Sequence, residues 1–203
     1  MNTEIKNIIF DFGGVLIDWN PRHLYRGMFK NDEEMEYFLS EVCSSSWNLQ
    51  QDAGFSLQKA TEERISLFPK YRDKIEMFYG RWPEMLGGAI ENNVEILFTL
   101  LEKYPVYGLT NWSDETFPIA RERFDYFLGK LDGIVVSGKE KMVKPNPEIF
   151  NLLVQRYNLI ADECLFIDDN YENVKTASEM GFATIYLADG VDLEHELKAL
   201  NIL

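Results

Sequence analysis

Short apolar runs and stretches with helically spaced apolar residues alternate along the chain, and the changes of texture predict its architecture. Ile8-Ile9-Phe10 is an unbroken apolar run that stops at Asp11 and is followed by Gly13-Gly14, the pattern of a buried strand breaking into a loop. From Pro21 to about Pro83 the texture changes. Asn31 to Glu41, Ser56 to Phe68 and Arg72 to Tyr79 show helical spacing with acidic or small residues near their starts, and nothing there reads as a strand. After Asn92, helices predicted over 93–103, 114–124, 147–157 and 173–180 alternate with strands over 106–109, 133–136, 164–167 and 183–187. Pro147 stands in the first turn of one helix and Gly181 closes another.

Strands alternating with helices of this length specify an α/β fold: a doubly wound parallel sheet covered on both faces. The helical stretch after the first strand is then an insertion, giving a core at residues 1–17 and 91–203 and a helical unit at 18–90. In such sheets ligands bind beyond the carboxyl ends of the strands. The polar residues that close the predicted strands or follow them should therefore converge: Asp11, Thr110-Asn111, Lys144 and Asp168-Asp169. Each alone is an ordinary loop residue. Together they suit phosphoryl transfer, with an aspartate nucleophile, two further carboxylates for an oxygen-loving divalent cation, and a lysine and a hydroxyl for the phosphoryl oxygens.

Composition adds limits. With 203 residues, the chain fits one medium domain or a core with a smaller insert, and 46% hydrophobic residues are ample for burial. A net charge of -14 argues against a nucleic-acid or anionic-membrane partner, yet permits a phosphorylated substrate, because a bound cation reverses the sign locally. Cys43 and Cys164 read as separate, reduced, buried thiols. No run is apolar enough to span a bilayer, and Met1 to Lys6 leads directly into a strand without the features of a signal peptide, so a cytoplasmic location is expected. The two histidines, His23 and His195, stand in unrelated settings and do not suggest serine–histidine catalysis; no loop ending in Gly-Lys-Ser/Thr is present for a nucleotide-driven enzyme.

Four motifs carry a resemblance. Phe10-Asp11-Phe12-Gly13-Gly14-Val15-Leu16, Leu109-Thr110-Asn111, Lys144-Pro145-Asn146-Pro147-Glu148-Ile149-Phe150, and Phe166-Ile167-Asp168-Asp169-Asn170 with Asn173 occur in order. In this the chain resembles the haloacid dehalogenase-like hydrolase superfamily, whose members are mostly phosphatases. The resemblance implies a Rossmann-like core with an all-helical cap inserted after the first motif. It implies Asp11 as nucleophile and direct Mg2+ ligand, Thr110 holding a phosphoryl oxygen with help from the backbone of Asn111, and Lys144 bridging nucleophile and phosphate. Asp169 aligns with the metal-binding acid, and Asp168 assists directly or through a water. Asn173 stands where another acid is common. The implied partner is a small phosphorylated metabolite, with the protein a monomer or homodimer.

One departure changes the expected chemistry. Phosphatases of this superfamily usually carry a general acid–base aspartate two residues after the nucleophile, and here that residue is Gly13. Its backbone carbonyl still serves the metal and its peptide the phosphate, but proton transfer to the leaving oxygen, typically worth about 10²–10⁴-fold, is lost. The enzyme is then slow, or takes esters that leave without an acid, or receives a substitute from the cap, with Asp18, Asp52 and His23 as candidates. Preference falls on the second, because the glycine-bearing motif resembles a branch with sugar-1-phosphate phosphatases. Trp19, Trp47, Gln51 and Asp52 are the candidate substrate contacts from the cap side, although tryptophans such as Trp47 and Trp82 usually pack between helices. The alternatives are a 2-haloacid dehalogenase, which needs no metal and leaves Asp168-Asp169 unexplained, and a weakly active or non-catalytic member.

Overall fold

A computed structural model describes residues 4–203. Met1 to Thr3, part of the segment expected to lead into the first strand, lie outside the described residues. The central sheet holds β1 (Asn7–Phe10), β4 (Val106–Thr110), β5 (Gly133–Val136), β6 (Cys164–Asp168) and β7 (Ala183–Tyr186). Its strands are all parallel and run in the order β5-β4-β1-β6-β7. Helices α6 (Glu91–Leu101), α7 (Phe117–Arg123), α8 (Asp125–Leu128), α9 (Ser137–Glu140), α10 (Pro147–Tyr157), α11 (Tyr171–Glu179) and α12 (Leu193–Ala199) belong to the same half of the chain. This is the expected doubly wound α/β core.

Strand β1 lies at the centre because its residues are apolar on both faces. Ile8 and Phe10 join Leu165, Ile167, Val94 and Leu97 in one buried cluster, while Ile9 joins Leu109, Val135, Phe150 and Phe166 in the other. That two-sided burial is why the run shows no alternation. Register then does the functional work. Phe10 pairs with Gly108 on one side and Ile167 on the other, so the residues that follow, Asp11, Leu109-Thr110 and Asp168, emerge side by side. Chain order reverses direction across β1, with β4 on one side and β6 on the other, and the crevice at such a point is where open sheets bind ligands.

Between β1 and α6 lie β2 (Ile17–Trp19), α1 (Pro21–Tyr25), α2 (Asp32–Tyr37), α3 (Ser45–Asp52), α4 (Leu57–Leu67), α5 (Arg72–Gly80) and β3 (Leu86–Ala89). Asn20, Asn31, Ser44 and Ser56 each cap a helix with a side-chain oxygen accepting a backbone N–H, which is the physical content of the small polar residues at the predicted starts. Aromatic rings hold the helices together: Trp47 packs on Phe78 and Tyr79, Tyr25 on Phe38, and Trp82 stacks against Tyr79. Three features depart from the reading of the pattern. The helix expected to Glu41 is regular only to Tyr37 and continues as a π-helical turn from Phe38 to Val42. Strands β2 and β3 were not expected. They pair antiparallel at the two ends of the helical stretch, and Leu86-Gly87-Gly88-Ala89 is too small and glycine-rich to read as a strand. The helices α1 and α3, the short α8 and α9 and the terminal α12 also lie outside the segments predicted from the pattern.

Gly108 shows how tightly the first loop sits on the sheet, since a Cβ there would lie 2.3 Å from the Phe12 ring. We expect Gly108→Ala to destabilise the protein by about 1–3 kcal/mol, by overpacking, as read from urea unfolding midpoints.

Candidate active site

The loop after β1 closes on itself. The carbonyl of Phe12 accepts the N–H groups of Leu16 and Ile17, Gly14 N–H donates to the Ile17 carbonyl, and Asn93 Nδ2 ties the loop to α6 through the Val15 carbonyl at 2.7 Å. Asp11 is thereby held at the strand end with Oδ1 accepting the Phe12 N–H at 2.7 Å. Gly14 has φ +75, and a Cβ on it would fall 2.0 Å from Asp169 Oδ2. Only glycine lets this turn lie under the Asp169 carboxylate.

Lys144 is the centre of the charge arrangement. Its ammonium is fully buried, 3.0 Å from Asp11 Oδ1 and 2.6 Å from Asp168 Oδ2. Burial alone would lower its pKa, but the charges of Asp11 and Asp168 outweigh that and hold it above the ordinary value. The backbone of Lys144 is clamped as well. Asn111 Oδ1 accepts its N–H at 2.8 Å, and Asn111 Nδ2 donates to its carbonyl at 2.9 Å. Asp168 is saturated: besides Lys144 it accepts the Asn170 N–H at 2.8 Å and Asn173 Nδ2 at 3.1 Å on both oxygens. Asn173 therefore serves as a neutral donor that orients a buried carboxylate, and an acid in its place would repel that carboxylate.

Oxygens of Asp11, Asp168 and Asp169 lie within 4.8 Å of one another. Hard oxygen donors at this spacing suit an octahedral Mg2+, and with one lysine among three carboxylates a cation is the missing charge. Burial first, then the neighbouring carboxylates against the pull of Lys144, raises the Asp11 pKa to about 7; desolvation and the Asp168 charge push Asp169 to about 6. Thr110 is 1% exposed, and its Oγ1 has no hydrogen-bond partner among the described residues, which fits a hydroxyl made for a guest oxygen.

A small cavity of about 70 Å³ opens beside this set, lined by Gly13, Trp19, Asn48, Asp52, Trp82, Asn111 and Trp112. Of the four candidate substrate contacts, Trp19 and Asp52 thus face the cavity. Trp47 and Gln51 do not: Trp47 belongs to the aromatic packing, and Gln51, wholly buried, accepts from the Tyr79 hydroxyl at 2.8 Å. Asp18 and His23 pair with each other at 2.8 Å and are partly exposed, outside this lining. Trp112, Ser113 and Asn48 were missed by the sequence reading; the first two directly follow Thr110-Asn111, where a strand-end motif could have been read further. A larger surface groove of about 530 Å³ between α4 and α5 shares no residue with the set.

The chain is similar to known proteins in sequence and fold. Residues 5–181 match the haloacid dehalogenase-like hydrolase family. D-ribitol-5-phosphate phosphatase of Bacteroides thetaiotaomicron is 25% identical over 97% of this chain and 98% of its own. Sesquiterpene phosphatase astK of Aspergillus oryzae is 26% identical over 98% of each. A crystal structure of a HAD family enzyme from B. thetaiotaomicron, in a magnesium complex, superposes with a TM-score of 0.75 at 25% identity, covering 97% of this chain and all of that one.

The raised carboxyl pKa values give a linkage with a definite sign. Asp11 and Asp169 hold protons in the folded state up to about pH 6–7, whereas the unfolded chain loses them near pH 4. Folding therefore takes up protons in that window, and the stability of the metal-free protein falls as pH rises through it. Thermal melts in chelator should show a higher Tm at about pH 5 than at about pH 8, and Mg2+ should raise Tm more at the higher pH, where its ligands are ionised.

Proposed function

The chain belongs to the haloacid dehalogenase-like hydrolases, and from that premise we propose a Mg2+-dependent phosphatase of small, hydroxylated phosphate monoesters that works through an aspartyl phosphate on Asp11. One observation carries the reading: a strand-end aspartate, a buried lysine between two carboxylates, a third carboxylate and an unpartnered buried hydroxyl meet at one crevice.

The free Asp11 oxygen attacks phosphorus, forming a new P–O bond as the bond to the substrate oxygen breaks. Water then attacks the aspartyl phosphate at phosphorus, releasing inorganic phosphate and restoring the carboxylate. Lys144, fixed by Asn111 and Asp168, faces Asp11 and the phosphoryl oxygens as a permanent positive charge. Thr110 Oγ1 donates to a phosphoryl oxygen, and backbone N–H groups around Gly13 and Asn111 complete the cradle. Asp11, Asp169 and the Gly13 carbonyl are the residues that would hold Mg2+; Asp168, with its oxygens occupied, holds Lys144 in place and would serve the ion only indirectly. When bound, the ion neutralises the phosphate dianion and the nucleophile.

Support for this substrate class comes from the small cavity with its tryptophans and polar edge, and from the polyol phosphate in the name of the ribitol relative. A dehalogenase leaves the acidic pair Asp168-Asp169 beside Asp11 without a purpose, since its chemistry at carbon needs no cation. A panel of sugar and polyol phosphates, assayed with Mg2+ and with chelator, tests the reading. Turnover should require the metal, and Asp11→Asn should lower kcat/KM more than about 10³-fold in a variant that circular dichroism shows to be folded. Halide release from 2-haloacids in chelator, without phosphatase activity, would overturn it.

A further inference from the structure

Gly13 leaves a gap in a definite place. A Cβ on it would meet nothing within 4 Å, so its side is open space, and that space belongs to the cavity that Asp52 lines from α3. We propose that Asp52 fills the role vacated at Gly13 as the general acid–base catalyst for the leaving oxygen, an assignment that rests on the phosphatase reading above.

Three features separate Asp52 from an incidental surface acid. It is 7% exposed, and it is the carboxylic acid among the residues lining the cavity. Its position is fixed from both sides of the crevice: Asn48 Nδ2 donates to Oδ2 at 2.9 Å, the Ser113 backbone N–H donates to the carboxyl, and Ser137 Oγ donates to its main-chain carbonyl at 2.5 Å. Asn48 is itself oriented by the Tyr79 hydroxyl at 3.1 Å, so the amide presents its N–H to Asp52. Ser137 also accepts the Trp112 N–H at 2.8 Å, which joins the end of α3 to the loop after β4. Finally, Asp52 ends α3, where the helix dipole disfavours a negative charge and so favours the protonated acid. Burial, with the charge of Asp11 adding to it, raises its pKa to about 7, a value suited to giving and taking a proton near neutrality. Asp18 and His23, the other candidates, pair with each other at 2.8 Å and stand outside the lining of the cavity.

The proton balance closes. As the P–O bond to the substrate breaks, protonated Asp52 gives its proton to the departing oxygen and an alcohol leaves. The resulting carboxylate then takes a proton from the water that attacks the aspartyl phosphate, and phosphate departs with Asp11 ionised and Asp52 again protonated. Esters of ordinary alcohols thereby become substrates, so the preference for easily leaving groups expected from Gly13 is lifted.

The test is the dependence of kcat/KM on the leaving group, measured with Mg2+ on p-nitrophenyl phosphate, phenyl phosphate and a polyol phosphate. In the wild type the dependence should be shallow. In Asp52→Asn, kcat/KM for the polyol phosphate should fall about 10²–10⁴-fold, while kcat/KM for p-nitrophenyl phosphate, which reports only the transfer to Asp11, is nearly unchanged. For both substrates kcat falls, because hydrolysis of the aspartyl phosphate has lost its base. Adding Gly13→Asp to that variant, where the side chain has room, should restore much of the loss. A steep wild-type dependence overturns the proposal without any variant, as does a folded Asp52→Asn whose kcat/KM falls equally for both substrates or for neither. Absence of phosphate release from every ester by the wild type would instead sink the phosphatase reading itself.

Discussion

The buried ammonium of Lys144 is the interaction around which the site is organised. A lysine with no solvent contact is tolerated only where anions compensate it, and Asp11 and Asp168 do so at 3.0 and 2.6 Å. The same pair could not be buried without the lysine. That mutual dependence explains the secondary network: Asn111 clamps the lysine backbone, while Asn173 and the Asn170 N–H saturate Asp168. None of these groups can relax independently, because each would leave a charge in a poorly solvated space. Rigidity of this kind is what electrostatic stabilisation of a phosphoryl group requires, since donors already in place need no reorganisation as charge shifts.

The remaining imbalance is deliberate in its effect. Three carboxylates face one lysine, so the site is poised for a cation, and only with that cation in place for a ligand that carries its own negative charge. The chain as a whole is strongly acidic, at -14, yet the local sign at the crevice is set by what lies within a few ångströms. Global charge bears on solubility and non-specific partners; the site answers to its own neighbours.

The helical insertion contributes through its inner edge. Its aromatic packing, running from Tyr25 through Phe38 and Phe78 to Trp82, fixes the helices relative to one another, and the contact of Trp82 with Trp112 carries that order across to the core. Asp52 reaches the crevice because α3 ends there and because Gly54, at φ +91, turns the chain away against the Gly138 carbonyl. A functional group delivered from an insertion depends on such tertiary seating far more than one placed by a strand end does.

That difference separates what sequence alone determined from what required the fold. Strand ends are legible because a buried parallel strand is a continuous apolar run, and the polar residue that terminates it must sit at the sheet's carboxyl edge. Asp11, Thr110, Asp168 and Asp169 could accordingly be assembled by pattern, as could the α/β class, while Lys144, in the loop before α10, was legible through its motif and the resemblance. Helical periodicity, by contrast, gives a face without giving its partner. It could not decide that Asp52 and Trp19 line the cavity while Gln51, one residue from Asp52, hydrogen-bonds to Tyr79 in the interior. Nor could it show that Asn173 supports Asp168, that Asn111 acts through its side chain on Lys144, or that the space beside Gly13 is open to an acid from another part of the chain. Those are consequences of distances between segments far apart in sequence, which are set only when the two halves of the molecule pack.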